Sequence, residues 1–322
     1  GECDDSANTD CLDISLDLHD GANLISFPAL PGDVSVAGIF GNTGCNVIGI
    51  IGEGVGAVNL NGEWIGSLTE VSQDDGYWVK VEGSCSISLD DCDPVNYDAD
   101  GEVGYAMHAG NNLISYPFES GQSVAVALGD AADNVWALAG EGVAALNTGA
   151  GWAGSLQALE GGNGYWLVAT SDFDFTFNGT ASGLSRTVTQ PELQVMPELV
   201  RFNQSASQAF YFVANATIQG EALDVDDIIV AYNSDVVVGS RFWSGEFTDI
   251  PAMGMDDDAT TGYCRAGDKL TFKVLDATTG VFVEMVTEGD VVWNEMGVSI
   301  VNLTDKFLPT EVSLSNAYPN PF

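Results

Sequence analysis

"GEGVGAVNLNGEWIGSLTEVSQDDGYW", from Gly52 to Trp78, returns as "GEGVAALNTGAGWAGSLQALEGGNGYW" from Gly140 to Trp166, with glycines, an Asn, tryptophans and a Ser-Leu pair in register. Gly52 and Gly140, Trp64 and Trp152, and Trp78 and Trp166 all stand 88 residues apart. A fixed offset over so many residue types marks a duplicated domain. Upstream, "LHDGANLISFP" (Leu18 to Pro28) matches "MHAGNNLISYP" (Met107 to Pro117) at an offset of 89, and Cys3-Asp4 corresponds to Cys92-Asp93. One residue has therefore been lost between Pro117 and Gly140. The first copy is assigned to residues 1–91 and the second to 92–180.

Each copy reads mainly as strand. "NLISFP" and "NLISYP" are apolar runs stopped by proline, "VIGIIGEGVGAVNL" alternates and is rich in β-branched residues, and "GYWVKV" and "GYWLVA" close the unit. Each module has room for one short helix, and only "SVAVALGDAADNVWAL" near Ser123 has the alanine content of one. Strand side chains alternate, so Tyr77 and Trp78, like Tyr165 and Trp166, point to opposite faces, and one of each pair is expected in the core. From about Ser182 the vocabulary changes. Alternating runs such as "AFYFVANATI" and "DKLTFKVL", split by "YNSD" and "ATTG" turns, predict a β-sandwich over 181–306, with a tail at 307–322. The expected fold is mainly β, two homologous small modules followed by the sandwich.

The chain carries 8 Lys and Arg against 47 Asp and Glu, a net charge of −39. Such a chain repels nucleic acid and anionic lipid, and it resists compaction unless salt or bound cations screen it. The longest apolar stretch, around "VIGIIGEGVGAV", is broken by Glu53, so no membrane insertion is expected. Gly1, in place of a start methionine, is read as the mature end left by signal-peptide removal.

Six cysteines (Cys3, Cys11, Cys45, Cys85, Cys92, Cys264) lack the paired spacing of a zinc site, and an even number in an acidic exported chain favours disulfides. The second copy has lost both Cys45 and Cys85, with Asp133 and Phe173 at about those places, and joint loss is what mutual partners predict. Cys3 and Cys11 can close a local loop, which leaves Cys92 with Cys264 by exclusion. A local Cys85 to Cys92 link is the rival scheme.

His19 and His108, the two histidines, occupy equivalent places before "GANLIS" and "GNNLIS", which suits a structural hydrogen-bonder better than a catalytic base. "GEGVGA" and "GEGVAA" lack the Lys and Ser or Thr of a phosphate loop, and their Glu would repel a phosphate. No local motif singles out a glycosidase carboxylate pair. "NYDADGEV" places Asn96, Asp98 and Asp100 before Gly101, like the first half of a calcium loop, although Met107 stands where a bidentate Glu belongs. Asp226, Asp227 and Asp235 with Asp256, Asp257 and Asp258 form a second candidate calcium set, provided that the fold joins their loops. Trp64, Trp152, Phe242 and Trp243 could offer flat faces to surface glycans, but tryptophans beside apolar strands are more often core.

These blocks resemble known families. The "GxNLIS" opening, aromatic hairpin and "GYW" strand are similar to a small module of secreted and surface-attached bacterial and archaeal proteins, which implies architecture instead of chemistry. "DDIIVAYNSDVVVGSRFW" and "IPAMGMDDDATTGYCRAGDKLTFKV" resemble a domain of large secreted proteins of Bacteroidota-like bacteria, whose relatives carry a second cysteine where Val237 and Val238 stand here. "LPTEVSLSNAYPNPF" resembles the start of the sorting domain of type IX secretion substrates, which implies an extracellular or outer-surface location. The expected function is that of a non-catalytic structural protein, a homopolymer subunit in a surface filament or lattice. In it Tyr318 and Phe322 of the tail bury against a neighbour as an added strand. A carbohydrate-binding or adhesive array is the first alternative, a glycan-active enzyme the second.

Overall fold

The computed structural model describes residues 12–41, 43–94, 104–118, 120–178 and 195–305. The first module contains β1 (Leu12–Leu18), β2 (Gly21–Ser26), β3 (Ala29–Leu30), helix α1 (Val36–Phe40), β4 (Asn46–Gly52), β5 (Val55–Leu60), β6 (Glu63–Gly66), β7 (Gly76–Glu82) and β8 (Cys85–Pro94). The second contains β9 (Gly104–Met107), β10 (Gly110–Ile114), β11 (Gln122–Ser123), α2 (Val124–Leu128), β12 (Val135–Ala139), β13 (Ala144–Asn147), β14 (Trp152–Ala153), β15 (Ala158–Leu159), β16 (Tyr165–Ala169) and β17 (Phe173–Thr176).

The duplication is kept to the level of register. Five strands order as β2-β7-β4-β5-β6 in one module and β10-β16-β12-β13-β14 in the other. Gly49 faces Val58 as Ala137 faces Leu146, and the bulge between Val47 and Gly49 returns between Val135 and Ala137. Antiparallel β1 and β8 close the first module as β9 and β17 close the second. The inner faces carry Val47, Ile50, Tyr77, Val79 and Val81 in one core, and Val135, Leu138, Tyr165, Leu167 and Ala169 in the other. Both helices have only five residues, too few to hold as isolated helices. Ser35 and Ser123 cap them, and Val36, Ile39 and Phe40, or Val124, Ala127 and Leu128, fasten them to the core. Strand β8 runs to Pro94, paired with Ala29, so the first module extends past the expected boundary at 91.

Cys45 and Cys85 form a disulfide with Cα atoms 5.6 Å apart, which removes the Cys85 to Cys92 scheme. The Cys92 to Cys264 pairing is overturned, because both are buried free thiols. Cys92 lies in the core of the first module and Cys264 in that of the third domain. Burial pushes their thiols up, to about 11 and about 12. Cys3 and Cys11 lie outside the described residues.

The third domain contains β18 (Gln208–Ile218), β19 (Glu221–Ala222), β20 (Ile228–Asn233), β21 (Val236–Phe242), β22 (Thr248–Met253), β23 (Lys269–Leu275), β24 (Phe282–Val286), β25 (Val291–Val292) and β26 (Val298–Asp305). It is sandwich-like, but its strands form one nine-stranded sheet curled on itself. The long β18 makes this possible: it pairs with β22 along its first half and with parallel β26 on its other edge, and its register with β26 shifts between Val213 and Asn215. Ala209, Tyr211 and Val213 face the curled core, while Phe210 and Phe212 face out and pack on the second module.

Candidate functional site

The shared motif residues meet where the two modules touch. Asn23 closes the β1–β2 turn, accepting from His19 N at 2.9 Å and donating to His19 O at 2.9 Å. Asn112 does the same for His108 at 2.9 and 2.8 Å. Each turn aims its imidazole at the other module. His19 Nε2 bonds Glu141 Oε1, and His108 Nε2 lies 2.7 Å from Glu53 Oε1. The second carboxylate oxygens accept from Leu24 N at 3.0 Å and Leu113 N at 2.8 Å. The module pair is thus a reciprocal, pseudo-twofold clasp, and the Glu of each "GEGV" loop, unpromising as a phosphate ligand, is half of it.

The rest of the motif serves the same contact. Leu24, Trp78 and Leu113 are buried together with Trp166 against them, so Tyr77 and Tyr165 fill the module cores while the tryptophans bury between modules. One member of each pair, the tyrosine, is in a module core as expected, and the tryptophan packs between domains. Among the described residues, Trp78 Nε1 and Trp166 Nε1 are the buried side-chain polar atoms without a hydrogen bond. The glycine of "GYW" is required by closeness: a Cβ on Gly76 would come within 2.8 Å of Ile114 O, and one on Gly164 within 2.6 Å of Ile25 O. Both are under the separation real Cβ atoms show.

The third domain is held by a buried charge pair. Asp249 accepts from Ala144 N (3.1 Å), Ser155 N (2.7 Å) and Ser155 Oγ (2.7 Å) of the second module, and from Arg241 Nη2 at 3.2 Å. Burial pushes the Asp249 carboxyl up, against the pull of Arg241 and Ser155. Gln208 joins the same seam, accepting from Gly142 N and donating to Gly140 O. Lys80 of the first module pairs with Asp256 at 3.8 Å and with Asp257. Burial raises Asp257, but Lys80 and Thr260 pull it below the usual carboxylate range.

Chemically, the histidines are occupied. His19 Nδ1 lies 2.8 Å from Asp20 O, and His108 Nδ1 lies 3.0 Å from Ala109 O. A carbonyl only accepts, as does an ionised carboxylate, so an imidazolium donating from both ring nitrogens satisfies this geometry. The Glu141 hydrogen bond lifts His19 to about 9 against partial burial; Ala109 O and then Glu53 lift His108.

The second calcium set does not assemble. Among the described residues no three His, Cys, Asp or Glu side chains are placed to hold a metal ion. Asp226 and Asp227 precede β20 and Asp235 follows it, and six residues at about 3.3 Å each keep the two ends apart. Asp227 is spent on Asp224 N and Ala277 N, both at 2.9 Å, Asp256 and Asp257 take Lys80, and Asp258 stands in the short turn beside them. Asn96, Asp98 and Asp100 lie outside the described residues, as do Tyr318 and Phe322. Trp64 packs on Phe40 with ring centres 5.8 Å apart, Trp152 and Phe242 pack at core margins, and Trp243 is buried, so none is a free platform. A cleft of about 100 Å³ beside Glu141 and Tyr165 is too small for a sugar, and a shallow opening of about 440 Å³ between β23 and β24 is rimmed by the Lys269–Asp290 ion pair. Among the described residues no helix is long and apolar enough to cross a membrane.

No protein-family model and no curated protein matches the chain.

Proposed function

We propose that this chain is a non-catalytic structural protein of the cell exterior, a subunit of a surface filament or lattice. The observation that carries the reading is where the repeated polar and aromatic residues are used: His19, Glu53, His108 and Glu141 join module to module, and Asp249 and Arg241 of the sandwich bond Ser155 and Gly142 of the second module. Groups that an enzyme would turn towards a substrate are here turned towards a neighbouring domain. The Cys45–Cys85 disulfide supports an oxidising, extracellular setting. In this reading residues 307–322, with Tyr318 and Phe322, reach a neighbouring subunit, and the Asn96, Asp98 and Asp100 loop is where a calcium ion would be taken.

Electron microscopy of purified full-length protein tests the proposal. Regular filaments or sheets are expected at physiological salt, and single particles of one 33.8 kDa chain at every concentration would overturn it.

A further inference from the structure

The outer sheet faces of the two modules match in register but not in what covers them. In the second module Ala137, Ala139, Ala144 and Leu146 are 0 to 1% exposed beneath Phe210, Phe212 and Met296 of the third domain. Their equivalents in the first are Gly49, Ile51, Gly56 and Val58, with Ile65 paired to Val58 where Ala153 pairs with Leu146. The covered face carries alanines and one leucine, whereas the open face alternates glycines with branched side chains. Ile51 is 52% exposed, Val58 49%, Leu60 55% and Ile65 50%. Contiguous branched apolar side chains on one sheet face, in a chain of net charge −39, mark a surface built to be buried.

We propose that this face of the first module binds the same face of a second copy of the chain, sheet on sheet, about a twofold axis. Three observations select that occupant. Two copies repel wherever their carboxylates meet, and among the residues facing out from β4, β5 and β6 the carboxylate is Glu63, at the hairpin tip. The face runs on through Trp78 and Leu24 to the seam between the second module and the third domain, so this kind of surface is one that the chain already buries against a β-sheet. Gly56 lies opposite Ile51, and Gly49 opposite Val58, so bare backbone alternates with branched side chains, a pattern into which a twofold-related copy can interdigitate.

The inference rests on the proposed self-assembly, and one experiment separates the two. Sedimentation equilibrium is run on the full chain up to about 100 μM, for the parent, for Val58→Lys with Ile65→Lys, and for Val281→Lys as a control on an exposed side chain of the third domain. Lysines reduce the net charge, so association through any other surface should strengthen. The parent and the control are expected to dimerise, and the double variant to associate at least about tenfold more weakly with an unchanged melting temperature. Undiminished association of the double variant would overturn the face and leave self-assembly standing. A parent that stays monomeric would overturn both. A monomeric parent whose truncation after Asp305 dimerises would show residues 306–322 to be the occupant instead of a second copy.

Discussion

At the scale of single residues, the two histidines each pair with a carboxylate across a joint. His19 is about half exposed and lifted to about 9 by Glu141, so its pairing is screened and contributes less than about 1 kcal/mol. The sign follows from linkage. A folded-state pKa above the unfolded 6.5 adds stability that is complete below pH 6.5 and lost as pH rises through about 9. The melting temperature should therefore fall across that window, and His19→Gln should lower it at pH 6 while flattening the slope; an unchanged slope would count against the pairing. Asp249 belongs to another class, because it is buried with four hydrogen bonds directed at it. Asp249→Ala is expected to cost about 3–5 kcal/mol in urea unfolding, since it leaves the buried Arg241 charge without its carboxylate and Ser155 N without an acceptor. A loss below about 1 kcal/mol would place the pair with ordinary surface ion pairs. That the histidines are structural hydrogen-bonders was legible from their repeated position, but their partners were not. Glu141 lies 122 residues from His19 and Glu53 lies 55 from His108, so no spacing rule joins them, and "GEGV" read only as a loop without phosphate chemistry.

At the scale of elements, the duplication was readable because strand order follows the repeat, down to the bulge after Val47 and Val135. The Cys45–Cys85 bond was readable for the same reason: two positions that lose their cysteines together are close together. It spans 40 residues, and its removal by Cys45→Ser with Cys85→Ser should cost about 3–4 kcal/mol by loop-closure entropy, read as a lower urea midpoint. Pairing Cys92 with Cys264 failed because counting the remaining cysteines says nothing of distance, and the two sit in separate cores. The aspartate set failed on strand length, since residues close to β20 in sequence lie at its opposite ends. Why "GYW" opens on glycine could not be read from one strand, since the reason is the other module's backbone. Gly164→Ala is expected to destabilise the module pair, whereas Gly104→Ala, with open space around it, should be neutral or stabilising by up to about 1 kcal/mol. Equal effects of the two substitutions would contradict the close approach of Gly164 to Ile25.

At the scale of the whole molecule, the charge of −39 sets the conditions in which the joints hold. The screening length falls from about 30 Å at 0.01 M salt to about 8 Å at 0.15 M, so the melting temperature should rise over that range. Calcium chloride should raise it further than sodium chloride of equal ionic strength if the Asn96, Asp98 and Asp100 loop takes the ion. The central claim is that the repeated residues and the Asp249 seam make one cooperative body from three domains. Differential scanning calorimetry of the full chain at pH 7 tests it most directly. The expected result is one transition whose calorimetric and van't Hoff enthalpies agree, splitting into separate transitions when Glu53→Gln, Glu141→Gln and Asp249→Ala are combined. Independent transitions for the modules and the sandwich-like domain in the parent protein would contradict it.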